Sequence, residues 1–122
     1  MQYQQFEDLP VWKRGDELNA RMVELVRAAR RRSDFSFSNQ LRSASLSITN
    51  NIAEGFERKS AKEFMHFLSI AKGSAGEVRS MLHQAIREEM LPKAELEAMR
   101  LIVLDVSRQL AQFIKYLGQK KV

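Results

Sequence analysis

The sequence contains no cysteine and only two prolines among its 122 residues. Without cysteine there are no disulfide bonds, thiolate metal sites or cysteine nucleophiles, and this composition fits a reducing compartment. No apolar run approaches the roughly 18 residues that a membrane-spanning helix needs. Residues 1–6 are polar, so they do not resemble a signal peptide. These absences predict a soluble, cytoplasmic protein.

Motifs that carry chemistry are also scarce. His66 and His83 are the only histidines. The Glu-x-x-His word at 63–66 matches half of a di-iron bundle site, but the second half is missing because Ser80 stands three residues before His83. The Lys-Gly-Ser word at 72–74 lacks the upstream glycine of a phosphate-binding loop. The sequence therefore predicts no catalytic residue, no metal and no cofactor.

Helical periodicity is present throughout the chain. Apolar residues recur at three- and four-residue steps over 11–31, 38–56, 61–90 and 92–117, and no segment alternates with the period of a strand. Short connections between such helices favour antiparallel neighbours. We therefore predict an all-α fold, an antiparallel up-down-up-down four-helix bundle forming a single domain over 1–122. The connection at 32–37 is expected to be the longest, and the turn at 91–92 to be tight.

Each predicted helix has an apolar stripe for the core. In the fourth helix the stripe has heptad spacing, which suits near-parallel bundle packing. The stripes are Leu18, Met22, Leu25, Val26 and Ala29; Leu41, Ala44, Ile48, Ile52 and Phe56; Phe64, Phe67, Leu68, Ala71, Ala75, Val78, Leu82 and Ile86; and Leu96, Met99, Val103, Val106, Leu110, Phe113 and Leu117.

Two helices carry further apolar residues beside these stripes. They are Met65, Ile70 and Met81 in the third helix, and Leu101, Ile102, Leu104 and Ile114 in the fourth. Two interpretations are open: a second surface that is buried by self-association, or a wide core stripe with a few exposed aliphatic residues.

The corner between the second and third helices is polar. Asn51 falls on or beside the apolar face, where a buried amide needs partners, and Glu54 lies close by. A polar network that holds the corner is favoured over a ligand site. Gly55 is expected to be a point of close packing. Gly73 and Gly76 lie inside a helix, where glycine costs up to about 1 kcal/mol relative to alanine, so we expect another helix to approach them closely.

The chain carries 20 basic and 15 acidic side chains, a net charge of +5. A basic excess favours polyanionic partners such as RNA or DNA. The candidate nucleic-acid-binding residues form one group at the end of the first helix and one at the end of the chain: Arg27, Arg30, Arg31 and Arg32, and Lys115, Lys120 and Lys121. Simple up-down order places these two groups at opposite ends of the bundle.

Several words of the sequence resemble a bacterial family, the 23S rRNA-intervening sequence proteins. They are Phe-Glu-Asp-Leu-Pro-Val-Trp-Lys at 6–13, Gln-Leu-Arg at 40–42, Asn-Ile-Ala-Glu-Gly-Phe at 51–56, Lys-Glu-Phe at 62–64 and Phe-Leu-Ser-Ile-Ala-Lys-Gly-Ser at 67–74. The resemblance extends over about 6–117. The chain departs from the family at Thr49, where members often carry proline, and in the loop before the second helix.

The resemblance implies a left-handed up-down bundle that assembles as a homopentamer. A similar pentameric bundle is a nucleic-acid-binding accessory protein of diversity-generating retroelements, and this analogy favours polyanion binding. Two hypotheses follow. The first is a homo-oligomeric protein without enzymatic activity that binds structured RNA or other nucleic acid. The second is a protein-interaction scaffold whose basic surface is incidental.

Overall fold

The computed structural model describes residues 3–119, which form one short 3₁₀ helix and four long α-helices. The 3₁₀ helix spans Phe6–Asp8, and the α-helices are α1 (Pro10–Arg31), α2 (Phe35–Phe56), α3 (Ala61–Arg87) and α4 (Lys93–Gln119). Each helix packs against the next, and α4 also packs against α1. The predicted antiparallel four-helix bundle is therefore confirmed, and the described residues contain no strand.

The core consists mainly of the predicted apolar stripes. Leu18, Leu25, Leu41, Ile48, Ile52, Leu68, Leu82, Leu96 and Leu110 are among its fully buried side chains. Ile102 and Met81 are also buried, and Met65 and Ile114 pack against the core from its edge. Most of the second apolar side therefore belongs to a wide core, whereas Ile70 and Leu101 remain exposed.

The first connection is shorter than the sequence predicts, because α2 begins at Phe35 and not at Ser38. The carboxylate of Asp34 caps the helix by accepting a hydrogen bond from the Phe37 N–H at 3.2 Å. Ser33 adopts the left-handed conformation (φ 59°) that ends α1. Only 32–34 then separate the two helices, so the expectation of a long loop at 32–37 is wrong.

The last connection is longer than predicted, because α3 ends at Arg87 and not at Met90. Glu89 has a φ of 53°, its N–H donates to the Ile86 carbonyl, and the Met90 N–H donates to the Ala85 carbonyl. This is a Schellman motif built without glycine. The segment 88–92 therefore separates α3 from α4, so the expectation of a tight turn at 91–92 is wrong.

Polar side chains join α1 to its two neighbours. The Asn19 amide donates to Thr49 Oγ1 at 3.0 Å and accepts from Ser45 Oγ at 2.6 Å, which links α1 to α2. On the other side, Arg14 Nε donates to the Asp105 carboxylate of α4 at 2.9 Å. Asp105 also accepts from Arg108 and Gln109. These bonds fix the register of α1 against both helices.

The environment of Asp105 determines whether this carboxyl makes the fold more or less stable as the pH changes. Burial alone would raise the pKa of this carboxyl, but the hydrogen bonds from Arg14, Gln109 and Arg108 outweigh burial and lower its pKa below the usual value. A carboxyl whose pKa is lower in the folded state stabilises the fold above its unfolded-state pKa. That contribution is lost as the pH falls through the folded-state pKa.

Replacing Asp105 with asparagine is expected to lower the free energy of unfolding by about 1–3 kcal/mol at pH 7, because hydrogen bonds to charged groups contribute on that scale. Urea denaturation of both proteins over a pH series measures the effect. The difference between them should narrow below about pH 4, where the unfolded carboxyl becomes protonated. A difference that stays constant down to pH 2 would contradict this account of Asp105.

Candidate nucleic-acid interface

The four arginines at the end of α1 differ in their availability. Arg27 forms an ion pair with Glu24 at 2.9 Å. Arg32 pairs with Glu88 at 3.3 Å and donates to the Glu88 backbone carbonyl. Arg30 and Arg31 are exposed and have no side-chain partner among residues 3–119. Of the predicted cluster, only these two offer unpaired charge to a phosphate.

Other cations share this end of the bundle. The contact between Arg32 and Glu88 places the end of α1 beside the connection from α3 to α4. Arg87 ends α3 and Lys93 begins α4, and neither has a side-chain partner within the described part of the chain. We call Arg30, Arg31, Arg87 and Lys93 the arginine pole. Glu89 is an unpaired acid at the same end.

Lys115 lies far from the arginine pole. Arg21 of α1 pairs with Glu95 of α4 at 3.5 Å, which sets the register of these helices. Lys115 is about 30 Å further along α4, and Arg30 lies beyond Arg21 in the opposite direction, so the two cations are about 40 Å apart at 1.5 Å per residue. The structure does not bring the two predicted groups together. Lys120 and Lys121 lie outside the described residues.

A second group of cations surrounds Lys115. Met65, near the start of α3, lies 3.7 Å from where a side chain on Gly118 would begin, so the turn between α2 and α3 sits beside the end of α4. Lys59 lies in this turn and Lys62 in the first turn of α3. Like Lys115, both are exposed with no side-chain partner among the described residues. We call Lys59, Lys62 and Lys115 the lysine pole. Lys59 and Lys62 were not among the candidate binding residues predicted from the sequence.

An open pocket of about 290 Å³ lies at the lysine pole. Its lining is aromatic on the inside and basic at the rim. The lining residues are Phe56, Arg58, Lys59, Ser60, Ala61, Phe64, Tyr116 and Leu117. The ring of Phe64 packs edge-on against Phe56 and Phe113, and Phe113 in turn contacts Tyr116. The floor is therefore a connected aromatic cluster.

Arg58 is held in place beside this pocket. Its guanidinium donates to Glu54 at 2.8 Å, lies 3.5 Å from Glu63, and stacks over the ring of Phe67 at 4.8 Å. Two carboxylates balance the charge of the guanidinium and hold it in position. Arg58 therefore lines the pocket without contributing unpaired charge. Lys59 supplies the unpaired charge at the rim.

The outer surface of α2 and α3 differs from both poles because small and uncharged side chains predominate, although Glu77 of α3 accepts a hydrogen bond from Gln40 of α2 at 3.1 Å within it. Ser47 of α2 and Ser74 of α3 are hydrogen-bonded at 2.9 Å, and exposed small or uncharged residues surround this contact. We call this surface the uncharged face: Asn39, Ser43, Leu46 and Asn50 of α2, with Ser69, Ile70, Gly73, Gly76 and Ser80 of α3. Leu46 and Ile70 are two of the exposed large apolar side chains.

The polar and small residues of the second and third helices take different positions. Asn51 donates to the Ser47 carbonyl and hydroxyl, which extends the contact between Ser47 and Ser74 into a polar network between α2 and α3. Gly55 is closely packed: a methyl group there would lie 2.8 Å from both Phe64 and Phe67.

Gly73 and Gly76 differ from Gly15, Gly55 and Gly118, where an added side chain would lie within 4 Å of another helix. Both are exposed, and nothing within the protomer lies within 4 Å of a side chain added at either. The close approach that we expected at these glycines does not occur within one protomer. Between protomers it stays a prediction.

Residues 3–119 contain no group of three or more His, Asp and Glu side chains placed to hold a metal ion. Glu63 instead contacts the residue that caps α3: the Ser60 hydroxyl accepts from the Glu63 N–H and donates to its carboxylate. His66 is exposed and its ring packs against Phe67. No helix in the described range is long and apolar enough to cross a membrane.

The four helices define a protein of the helical-bundle class. Comparison with solved structures supports this fold: a crystal structure at 1.70 Å of a protein of unknown function from the S23 ribosomal protein family, from Bacteroides thetaiotaomicron VPI-5482, superposes with a TM-score of 0.80. The two sequences are 26% identical over 86% of this chain and 98% of that chain. A search of curated proteins gives no match.

The chain belongs to the 23S rRNA-intervening sequence protein family, whose model matches residues 7–112. The family resemblance inferred from the sequence motifs is therefore confirmed. The family assignment and the solved structure both leave the molecular function open.

Proposed function

We propose that this protein is a homo-oligomeric nucleic-acid-binding protein of the cytoplasm, without enzymatic activity, and that structured RNA is its main ligand. The observation that carries the proposal is the distribution of unpaired cations. Arg30, Arg31, Arg87 and Lys93 at one pole and Lys59, Lys62 and Lys115 at the other have no carboxylate partner among residues 3–119. Four further cations in this range are also unpaired: Lys13, Arg42, Lys72 and Arg79. Cations free of internal partners are the groups that neutralise phosphates and release counterions.

The uncharged face supports the homo-oligomeric part of the proposal. Exposed helical surfaces of monomers usually carry charged side chains, whereas the centres of protein interfaces are depleted of charge. Glycine and serine on α3 leave its backbone accessible to a second helix, and Leu46 and Ile70 add apolar area. A ring of five copies, which the family resemblance implies, would repeat each pole and add its phosphate contacts together.

Reversing Arg30 and Arg31 to glutamate is expected to weaken binding to a structured RNA by about 10- to 100-fold near physiological salt, because two phosphate contacts are lost and two repulsions are added. The milder Arg30→Ala/Arg31→Ala pair should reduce the slope of log K against log salt by about 1.4 to 1.8 for each subunit whose arginine pole contacts the RNA. Fluorescence anisotropy with a labelled rRNA fragment across a salt series measures both effects.

Arg27→Ala is the matched control for the alanine pair. Arg27 lies one turn earlier on the same helix, but it is already paired with Glu24. Its replacement should leave the slope nearly unchanged. If Arg27→Ala and the Arg30/Arg31 variants weaken binding equally, net charge alone controls the affinity, and the arginine pole is not a binding surface.

The uncharged face also favours a second candidate function, a protein-interaction scaffold with an incidental basic surface. This scaffold would form stable oligomers that ignore RNA and DNA at physiological salt. The salt series above distinguishes the two functions, because only the first predicts saturable RNA binding under these conditions.

A further inference from the structure

The pocket at the lysine pole differs from the arginine pole in its chemistry. A pocket of about 400 Å³ at the arginine pole has an aliphatic lining beside Lys93 and Glu89, whereas the pocket at the lysine pole joins unpaired lysines to an aromatic cluster. Tyr116 lines the pocket with 43% of its surface exposed, and Phe56 is partly exposed beside it. Aromatic faces next to cations are the features that hold bases of single-stranded nucleic acid, because every base has a face that stacks and every linkage has a charge.

Size and charge also fit a nucleotide. A volume of about 290 Å³ lies at the lower end of the range for small-ligand pockets, roughly 300–1,000 Å³. Arg58 neutralises Glu54 and Glu63. Glu57, between the lining residues Phe56 and Arg58 in the chain, is an acid at the same end with no side-chain partner among residues 3–119. Lys59 lines the pocket, while Lys62 and Lys115 follow or precede the lining residues Ala61 and Tyr116 directly in the chain. One unpaired lysine therefore lines the pocket, and two more lie next to lining residues in the chain.

We propose that this pocket receives an unpaired base of a single-stranded nucleic-acid segment, stacked on Tyr116, with the flanking phosphates bound by Lys59, Lys62 and Lys115. The inference rests on the proposed function and refines it: the ligand must contain an unpaired base, such as one in an RNA loop. RNA recognition commonly uses loops, because bases in a helix are not free to stack on a protein.

The test compares two single-stranded oligonucleotides of equal length and charge, one of deoxyadenosines and one in which abasic sites replace the bases. Both present the same phosphates, so any difference in affinity measured by fluorescence anisotropy reports contacts with bases. We expect the oligomer with bases to bind at least about five-fold more tightly, because stacking of one base on an aromatic side chain is worth roughly 1–3 kcal/mol.

Protein variants then locate the contact. Tyr116→Ala should remove the preference for the oligomer with bases, and Tyr116→Phe should retain it because the ring is conserved. Phe35→Ala is the matched control: Phe35 is 55% exposed and begins α2 at the opposite end of the bundle, so the preference should persist. Thermal unfolding by circular dichroism establishes that each variant is folded before binding is measured.

Two results would overturn the inference, and they are distinguishable. If both oligomers bind equally, or if Tyr116→Ala retains the preference for bases, the proposed binding of a base in this pocket is refuted. Phosphate binding and the proposed function would still stand. Failure of both oligomers and of a structured RNA to bind even at low salt refutes the pocket and the proposed function together.

Discussion

Replacing Gly55 with alanine is expected to lower the free energy of unfolding by about 1–3 kcal/mol, as overpacking of a well-packed site usually does. The added methyl group would lie 2.8 Å from Phe64 Cδ1 and from Phe67 Cβ, and 3.3 Å from the Phe64 backbone oxygen. Both rings belong to packed aromatic contacts at the corner of α2 and α3, so α3 has to shift. Urea denaturation followed by circular dichroism gives the value.

Gly73→Ala is the matched control for Gly55→Ala. Both glycines lie inside helices, but a methyl group at Gly73 meets nothing within 4 Å in the protomer. Alanine is favoured over glycine in a helix interior by up to about 1 kcal/mol, so Gly73→Ala should stabilise the protomer. Equal effects of the two substitutions would show that helix propensity, and not close packing, governs Gly55.

Placing leucine at both Gly73 and Gly76 is expected to dissociate the assembly. The protomer should fold normally, because both positions face open space. Two leucine side chains on the uncharged face would instead keep the backbone of a second helix at a distance. With an overpacking penalty of about 1–3 kcal/mol, the concentration at which the oligomer half-dissociates should rise about 10- to 100-fold. Light scattering over a dilution series measures this change.

Ala20→Leu provides the control for this variant. Ala20 is exposed on α1, away from the uncharged face, so an added leucine there should leave the assembly unchanged. If the Gly73→Leu/Gly76→Leu variant and the native protein have the same oligomeric mass at every concentration, another surface joins the subunits, or the protein is a monomer.

The core of the bundle could be predicted from the sequence because its signals are local and repeated. The heptad series through Leu96, Val103 and Leu110 is buried as expected. The helix ends were harder to predict. Ser33 and Glu89 end α1 and α3 in left-handed conformations, a role in which glycine is the usual signal. Without glycine at either position, the sequence pattern extended α3 by three residues and delayed the start of α2.

The candidate site was predictable only in part, because charge pairing depends on three-dimensional contacts. The run of arginines at 30–32 is visible in the sequence, but Arg32 pairs with Glu88, which lies far away in the chain. The pocket at the lysine pole combines residues of α2, α3 and α4, so no single segment reveals it. The lysines at 59 and 62 were the available sequence signal for the lysine pole.

The most direct test of the proposed function is the binding of the purified native protein to a labelled, structured rRNA fragment, followed by fluorescence anisotropy across a salt series. We predict saturable binding near physiological salt that weakens steeply as salt rises, because contacts with phosphates dominate it. Equal affinity for unrelated RNA and DNA would define a general polyanion binder. No binding even at low salt would contradict the nucleic-acid function.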